Sequence, residues 1–211
     1  MKFRPFRDGD SLQTFRNLTE RIKEEINSLE NEYVLKASAT ELEEYFLDKA
    51  RIEPLTLHTD KYYIENQGGI KIDVSHDYRQ AVFPGERAIV QGTSLDIAIP
   101  FEGDKELWKI QPSRFTLSGY PEIEVRDGII ILTFSFPDDS ADSDRLKNQI
   151  KSQIKSLADA VNNLKQDVEN HNNSVQGIIK SALEGKRQKA LGTTNAIAGD
   201  PRQSFLPSGD R

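Results

Sequence analysis

The chain contains no cysteine, one methionine and one tryptophan in 211 residues. The missing cysteines exclude disulfides, thiolate metal sites and cysteine nucleophiles, and they suit a reducing cytoplasm. Long apolar runs are also missing. None approaches the roughly 20 residues that cross a bilayer, mean hydropathy is −0.62, and no membrane partner is expected. The opening Met1-Lys2-Phe3-Arg4-Pro5-Phe6-Arg7 is basic but has no apolar stretch behind it, so it does not read as a secretory signal. Nor is positive charge in excess. A net charge of −6 and a pI near 5.2 argue against a general nucleic-acid binder. What is present is charge of both signs, 29% of residues, beside 36% hydrophobic residues. That describes a cytoplasmic chain rich in exposed helix, long enough for one domain plus an extension.

The most ordered pattern lies near the C-terminus. Apolar residues fall at Ile150, Ile154, Leu157, Val161, Leu164 and Val168, and resume at Val175, Ile178 and Ala182. Steps of four and three alternate, which is a heptad repeat. β-Branched residues occupy one seam position, a choice that favours two strands in parallel dimers. The seam Ile150, Ile154, Leu157, Val161, Leu164, Val168, Val175 and Ile178 is therefore the predicted interaction surface, and it makes a homo-oligomer an expected assembly. His171 sits on this seam within Asn170-His171-Asn172-Asn173-Ser174, a run of poor helix formers. Two readings stay open: one continuous rod, or an αα-hairpin that folds back at this run.

Upstream, residues 1–9 read as a flexible lead-in. Asp10 caps a helix over about 10–31 whose apolar face is Leu12, Phe15, Leu18, Ile22, Ile26 and Leu29. Thr40 and Glu43 form a capping box for a second helix over about 40–50, with Leu42, Tyr45, Phe46 and Ala50 inward. From Pro54 to Pro137 the period becomes two. Strand candidates are Leu55–His58, Tyr62–Ile64, Gly69–Ser75, Leu95–Ile99, Glu106–Ile110, Glu122–Val125 and Ile129–Phe136. Asp127-Gly128 between the last two is a hairpin signal, and the apolar run Ile129–Leu132 belongs in the centre of a sheet. The predicted class is α+β. Residues 1–139 form a body of N-terminal helices packed on an antiparallel sheet or small sandwich, residues 140–190 a helical extension, and residues 191–211 a tail or linker.

No catalytic, cofactor-binding or metal-ligating residue reaches the level of a predicted site. Gly177 to Lys186 lacks phosphate-loop spacing and lies in a helical pattern. His58, His76 and His171 are far apart, without zinc-ligand spacing. Asp73, His76 and Asp77 would serve an acid–base or metal-dependent hydrolase, a solvated loop being the plainer use. Trp108, Phe101 and Phe115 suit either an aromatic platform or a core cluster. Lys180, Lys186, Arg187, Lys189 and Arg202 give the C-terminal end a basic bias that a nucleic-acid-associated structural protein would use.

Three ordered pieces carry a resemblance. They are Glu41–Leu55 followed by Leu57-His58, then Ile99–Asp104 with Leu107 and Gln111-Pro112-Ser113, and then Asp167–Asn170 leading through Asn173-Ser174 to Ala182-Leu183-Glu184 and Arg187. Together they resemble a β-rich module with a helical hairpin found at the N-terminus of bacterial multidomain proteins of antiphage or stress defence, upstream of TIR-like or nuclease-like effectors. The resemblance spans roughly residues 30 to 195 and implies the hairpin rather than the rod. It also implies a non-enzymatic sensor or scaffold that oligomerises or positions an effector, with a protein partner or a covalently linked effector domain. The chain ends at Arg211, where an effector would begin, so it is expected to be either a fragment or a stand-alone version working with a separate partner.

Overall fold

The computed structural model describes residues 2–75, 87–115, 119–138 and 143–198. Its class is α+β. The elements run β1 (Lys2–Phe3), β2 (Gly9–Asp10), α1 (Ser11–Ser28), α2 (Asn31–Lys36), α3 (Ala39–Ala50), β3 (Thr56–Leu57), β4 (Tyr63–Asp73), β5 (Ile89–Glu102), a 3₁₀ turn (Lys105–Lys109), β6 (Ile110–Gln111), β7 (Ile123–Arg126), β8 (Ile129–Pro137) and α4 (Ser143–Ala198). Among the described residues no helix is long and apolar enough to cross a membrane.

The chain divides into two compact units. The first holds the residues up to Thr14 and Glu53–Glu169; the second holds Phe15–Ile52 and the chain from Asn170 onward. The sequence reading put the boundary between residues 139 and 140. The compact units divide the chain differently, changing over inside α1 and inside α4, so that each of these helices contributes one part to each unit.

In the first unit the sheet has the order β1-β7-β8-β5-β3, with β4 also paired to β5. Its paired strands are antiparallel. The β7–β8 hairpin turns on Asp127-Gly128, where Gly128 has φ +72°, a conformation that costs glycine least. Ile130, Ile131 and Leu132 are all buried, in a strand paired on both edges, as the unbroken apolar run predicts. Two segments differ from expectation. Residues 1–9 are not a loose lead-in: β1 pairs with Glu124 and Ile123, and β2 pairs in parallel with β6. Phe6 is buried despite φ of 62°, and its N–H donates to the Trp108 carbonyl at 2.8 Å. Its ring lies 5.6 Å from Trp108 and 5.1 Å from Tyr120. Burying a phenylalanine is worth about 1.5–3 kcal/mol, enough to hold a backbone conformation that costs about 1–3 kcal/mol. Glu106–Ile110 is mostly a 3₁₀ turn rather than a strand, capped by the Asp104 side chain.

α1 starts, within the first unit, as expected, with the Asp10 carboxylate accepting from the Gln13 N–H at 2.8 Å; the rest of α1, α2 and α3 belong to the second unit. The cap of α3 is Ser38, which accepts from the Glu41 N–H, so the box sits two residues before Thr40 and Glu43. Tyr45 is 53% exposed rather than inward. The short helix α2 was not foreseen; it buries Val34. Ile22, Ile26, Leu42, Phe46, Ala50, Val175, Ile179 and Leu183 form one core cluster. The apolar faces of α1 and α3 are thus covered by the second half of α4, where the sequence reading supplied the sheet.

Candidate functional site

The run Asn170–Ser174 is not a turn. α4 continues through it without a break, so the hairpin alternative does not occur. Its poor helix formers are there for their side chains. The Asn172 amide accepts from the Ile52 N–H at 3.0 Å and donates to the Ile52 carbonyl at 2.8 Å, copying the paired bonds of a sheet. His171 is buried, with Nε2 3.0 Å from the Ala50 carbonyl, which requires the Nε2–H tautomer or the imidazolium. The Phe15 ring lies 5.3 Å from it. Together they hold the last turn of α3 and the backbone that leaves it.

Heptad residues Ile150, Ile154, Leu157, Val161, Leu164, Val168 and Val175 are all buried within the single chain. Ile178 is only half-buried, and Ile179 takes its place. Beyond Val175 the next buried residues are Ile179 and Leu183, steps of four rather than the four-three alternation, and Ala190 follows a heptad later. The seam of Ile150 to Val175 is therefore not a free dimer surface; its periodicity records burial inside this chain.

One buried carboxylate would draw the eye as a catalytic group. Asp167 accepts from Ser11 Oγ at 2.6 Å, from the Ser113 N–H at 2.7 Å and from Ser113 Oγ at 2.6 Å. Its oxygens are engaged in joining α1, α4 and the segment after β6. Arg187, counted in the basic end, donates to the Val34 and Ala37 carbonyls and closes the C-terminus of α2. The sequence had no signal for either use beyond a polar residue beside the heptad stripe.

The remaining candidates separate. Asp73 accepts from the Ser75 N–H at 3.0 Å, while His76, Asp77 and Arg202 lie outside the described residues. Trp108 and Phe101 meet edge to face at 5.6 Å in the core, and Phe115, at 49% exposure, is no part of that cluster. Gly177 to Lys186 is helix. Among the described residues no three histidine, aspartate or glutamate side chains gather as a metal site would require. Among the open grooves of the described surface are two of similar size. One, of about 550 Å³, is lined by Lys23, Asn27, Gly177, Ser181, Gly185 and Lys186. The other, of about 590 Å³, is lined by Arg4, Arg7, Tyr120, Ser152, Gln153 and Ser156.

Much of β4 is exposed. It bonds to β5 along one edge, and among the described residues no strand pairs with the other. Tyr63 to Gly69 are exposed without interruption, with Tyr62 and Ile64 among the large exposed apolar side chains. No family model, curated protein or solved structure matches the chain.

Proposed function

We propose that the chain is a non-catalytic interaction module that gathers or positions a protein partner, acting in bacterial antiphage or stress defence as the sequence resemblance implies. The observation that carries this reading is the open edge of β4. A bare strand edge offers backbone donors and acceptors to any extended segment, and such edges in folded proteins are either protected or used. The buried polar side chains support the same reading. Asp167, His171 and Asn172 are committed to holding backbone segments together, which gives them architectural work. The seam of α4 is occupied within the chain, so the partner surface of this module is the sheet edge rather than the heptads.

The test is to express the full chain with the proteins encoded beside it and to measure complex mass, while screening the purified chain for hydrolytic turnover. A stoichiometric complex or a self-assembly, with no turnover, supports the module. A chain that stays alone and turns over a substrate overturns it. A second reading has one observation in its favour: Lys23, Lys186 and Lys189 line one groove that no carboxylate lines. Binding to a polyanion there would weaken steeply with salt.

A further inference from the structure

We infer that β4 pairs antiparallel with β4 of a second copy, about a two-fold axis through Gly68, to give one continuous sheet. This names the partner of the surface on which the proposed function rests.

The argument begins with which backbone groups are free. The Val74 N–H donates to the Ala88 carbonyl across the β4–β5 ladder at 2.8 Å. Backbone direction alternates along a strand. Stepping back by two through the unbroken register, Ile72, Ile70, Gly68 and Asn66 also turn their N–H and C=O groups toward β5. Lys71, Gly69 and Gln67 turn theirs outward, to the unpaired edge.

A two-fold axis at Gly68 makes Gln67 face Gly69 of the other copy, and Gly69 face its Gln67. Both are outward-turned residues, so each pairing supplies two backbone hydrogen bonds. Gly68 then faces its own counterpart in a non-hydrogen-bonded pair, where the two chains come closest, at about 4.5 Å between Cα atoms. Glycine at that point removes the side chains that would crowd there. Among the described residues nothing accounts for Gly68 or Gly69 otherwise. A Cβ on either would meet no atom within 4 Å, and neither is among the glycines with positive φ.

The same axis places Glu65 opposite Lys71, twice. Lys71 has no partner among the described residues, and Glu65 is held by Arg126 at 3.0 Å, so each copy offers an acidic cluster end and a free cation to the other. Moving the axis by one residue, to Gln67 or to Gly69, puts Lys71 opposite Tyr63 or opposite Gln67 and loses both charge pairs. Charged residues such as Lys71 are one usual protection of an edge, but others are missing from this one. β4 contains no proline, and its one irregularity, between Ile64 and Asn66, lies at the border of the paired segment rather than inside it.

The test is sedimentation and light scattering of the full chain over a concentration series, with four variants. Gln67→Pro removes an outward N–H that β5 does not use, so the fold survives while pairing is blocked; circular dichroism verifies the fold. Lys71→Glu and Glu65→Lys each set like charges opposite one another, and the double swap restores opposite signs. The wild type is expected to dimerise at about 100 μM or below, each single reversal to weaken the dimer about tenfold, and the double swap to recover to within about threefold. A wild type that stays monomeric, or a dimer that the charge reversals do not alter, overturns the inference. A monomer that still binds a separate partner overturns this inference while leaving the interaction module standing; a monomer with no partner and measurable turnover overturns both.

Discussion

Asp167 on α4 accepts two hydrogen bonds from one residue, Ser113, through its N–H at 2.7 Å and its Oγ at 2.6 Å. A third comes from Ser11, fully buried at the start of α1. Three segments distant in sequence meet on one carboxylate. Asp167→Ala leaves the buried Ser11 hydroxyl without an acceptor, which costs about 1–3 kcal/mol, and it frees the donors of Ser113, which is exposed and can give them to water. The expected loss is therefore about 2–3 kcal/mol, against about 1 kcal/mol or less for Ser113→Ala, which removes one donor together with its bond. Urea unfolding of both variants checks the ranking; equal losses would mean that Asp167 acts through packing alone.

How much of this was legible follows from what each signal measures. Periodicity reports burial and says nothing of what does the burying. Ile150 to Val168 showed a seam correctly, yet the covering surface belongs to the same chain. Local chemistry that acts over a few residues was readable: the Asp10 cap, the Asp127-Gly128 turn, the central run Ile129–Leu132. Side chains whose partners lie far away were not. Asn172 bonds to Ile52, 120 residues distant, so its composition suggested a turn when its amide was serving another segment's backbone. β1 and β2 are two residues each, too short to carry any period, and only Phe3 and Phe6 among basic residues hinted that the start is tied down. The open edge of β4 was invisible because strand order is a property of pairing.

Asn172→Ala tests the link between α4 and the end of α3. It removes an acceptor and a donor for the Ile52 backbone at a half-buried position, so a loss of about 1–2 kcal/mol is expected. Hydrogen exchange supplies the sharper readout: amides at the C-terminal turn of α3 should exchange faster, while those of β8 stay unchanged. Uniform acceleration across both would contradict a local role.

Leu157 tests the seam. It is fully buried, so Leu157→Ala should cost about 2–5 kcal/mol and Leu157→Asp should cost more, because a charge is then desolvated. The mass of the folded fraction should be the same for the wild type and for Leu157→Ala, since the seam is closed within one chain. A change of oligomeric state with no change of melting temperature would return the seam to the surface.

Lys49 on α3 bonds to Glu25 on α1. Its pKa is raised above the ordinary lysine value, first by that hydrogen bond and next by the one it donates to the Tyr45 hydroxyl oxygen. A raised cation contributes stability that is fully present below the unfolded-state value and is lost as pH climbs through the folded-state one. Lys49→Met should therefore differ from wild type at neutral pH and converge with it as pH climbs past the raised lysine value. Added salt should shrink the neutral difference too, because both groups are exposed. A difference that persists at high pH would assign it to the lysine's methylenes.

Gly177 and Gly185 stand in the interior of α4, and a Cβ at either would meet nothing within 4 Å. Each glycine costs roughly 0.5–1 kcal/mol relative to alanine through the freedom it has when unfolded. Gly177→Ala and Gly185→Ala are therefore both expected to raise stability by about that amount, and the double variant by roughly their sum, since the sites are two turns apart. Thermal unfolding of the isolated chain checks this directly. If stability rises while binding to a partner is lost, the two glycines keep a groove shallow for that partner; if stability falls, something in solution already occupies the space beside them.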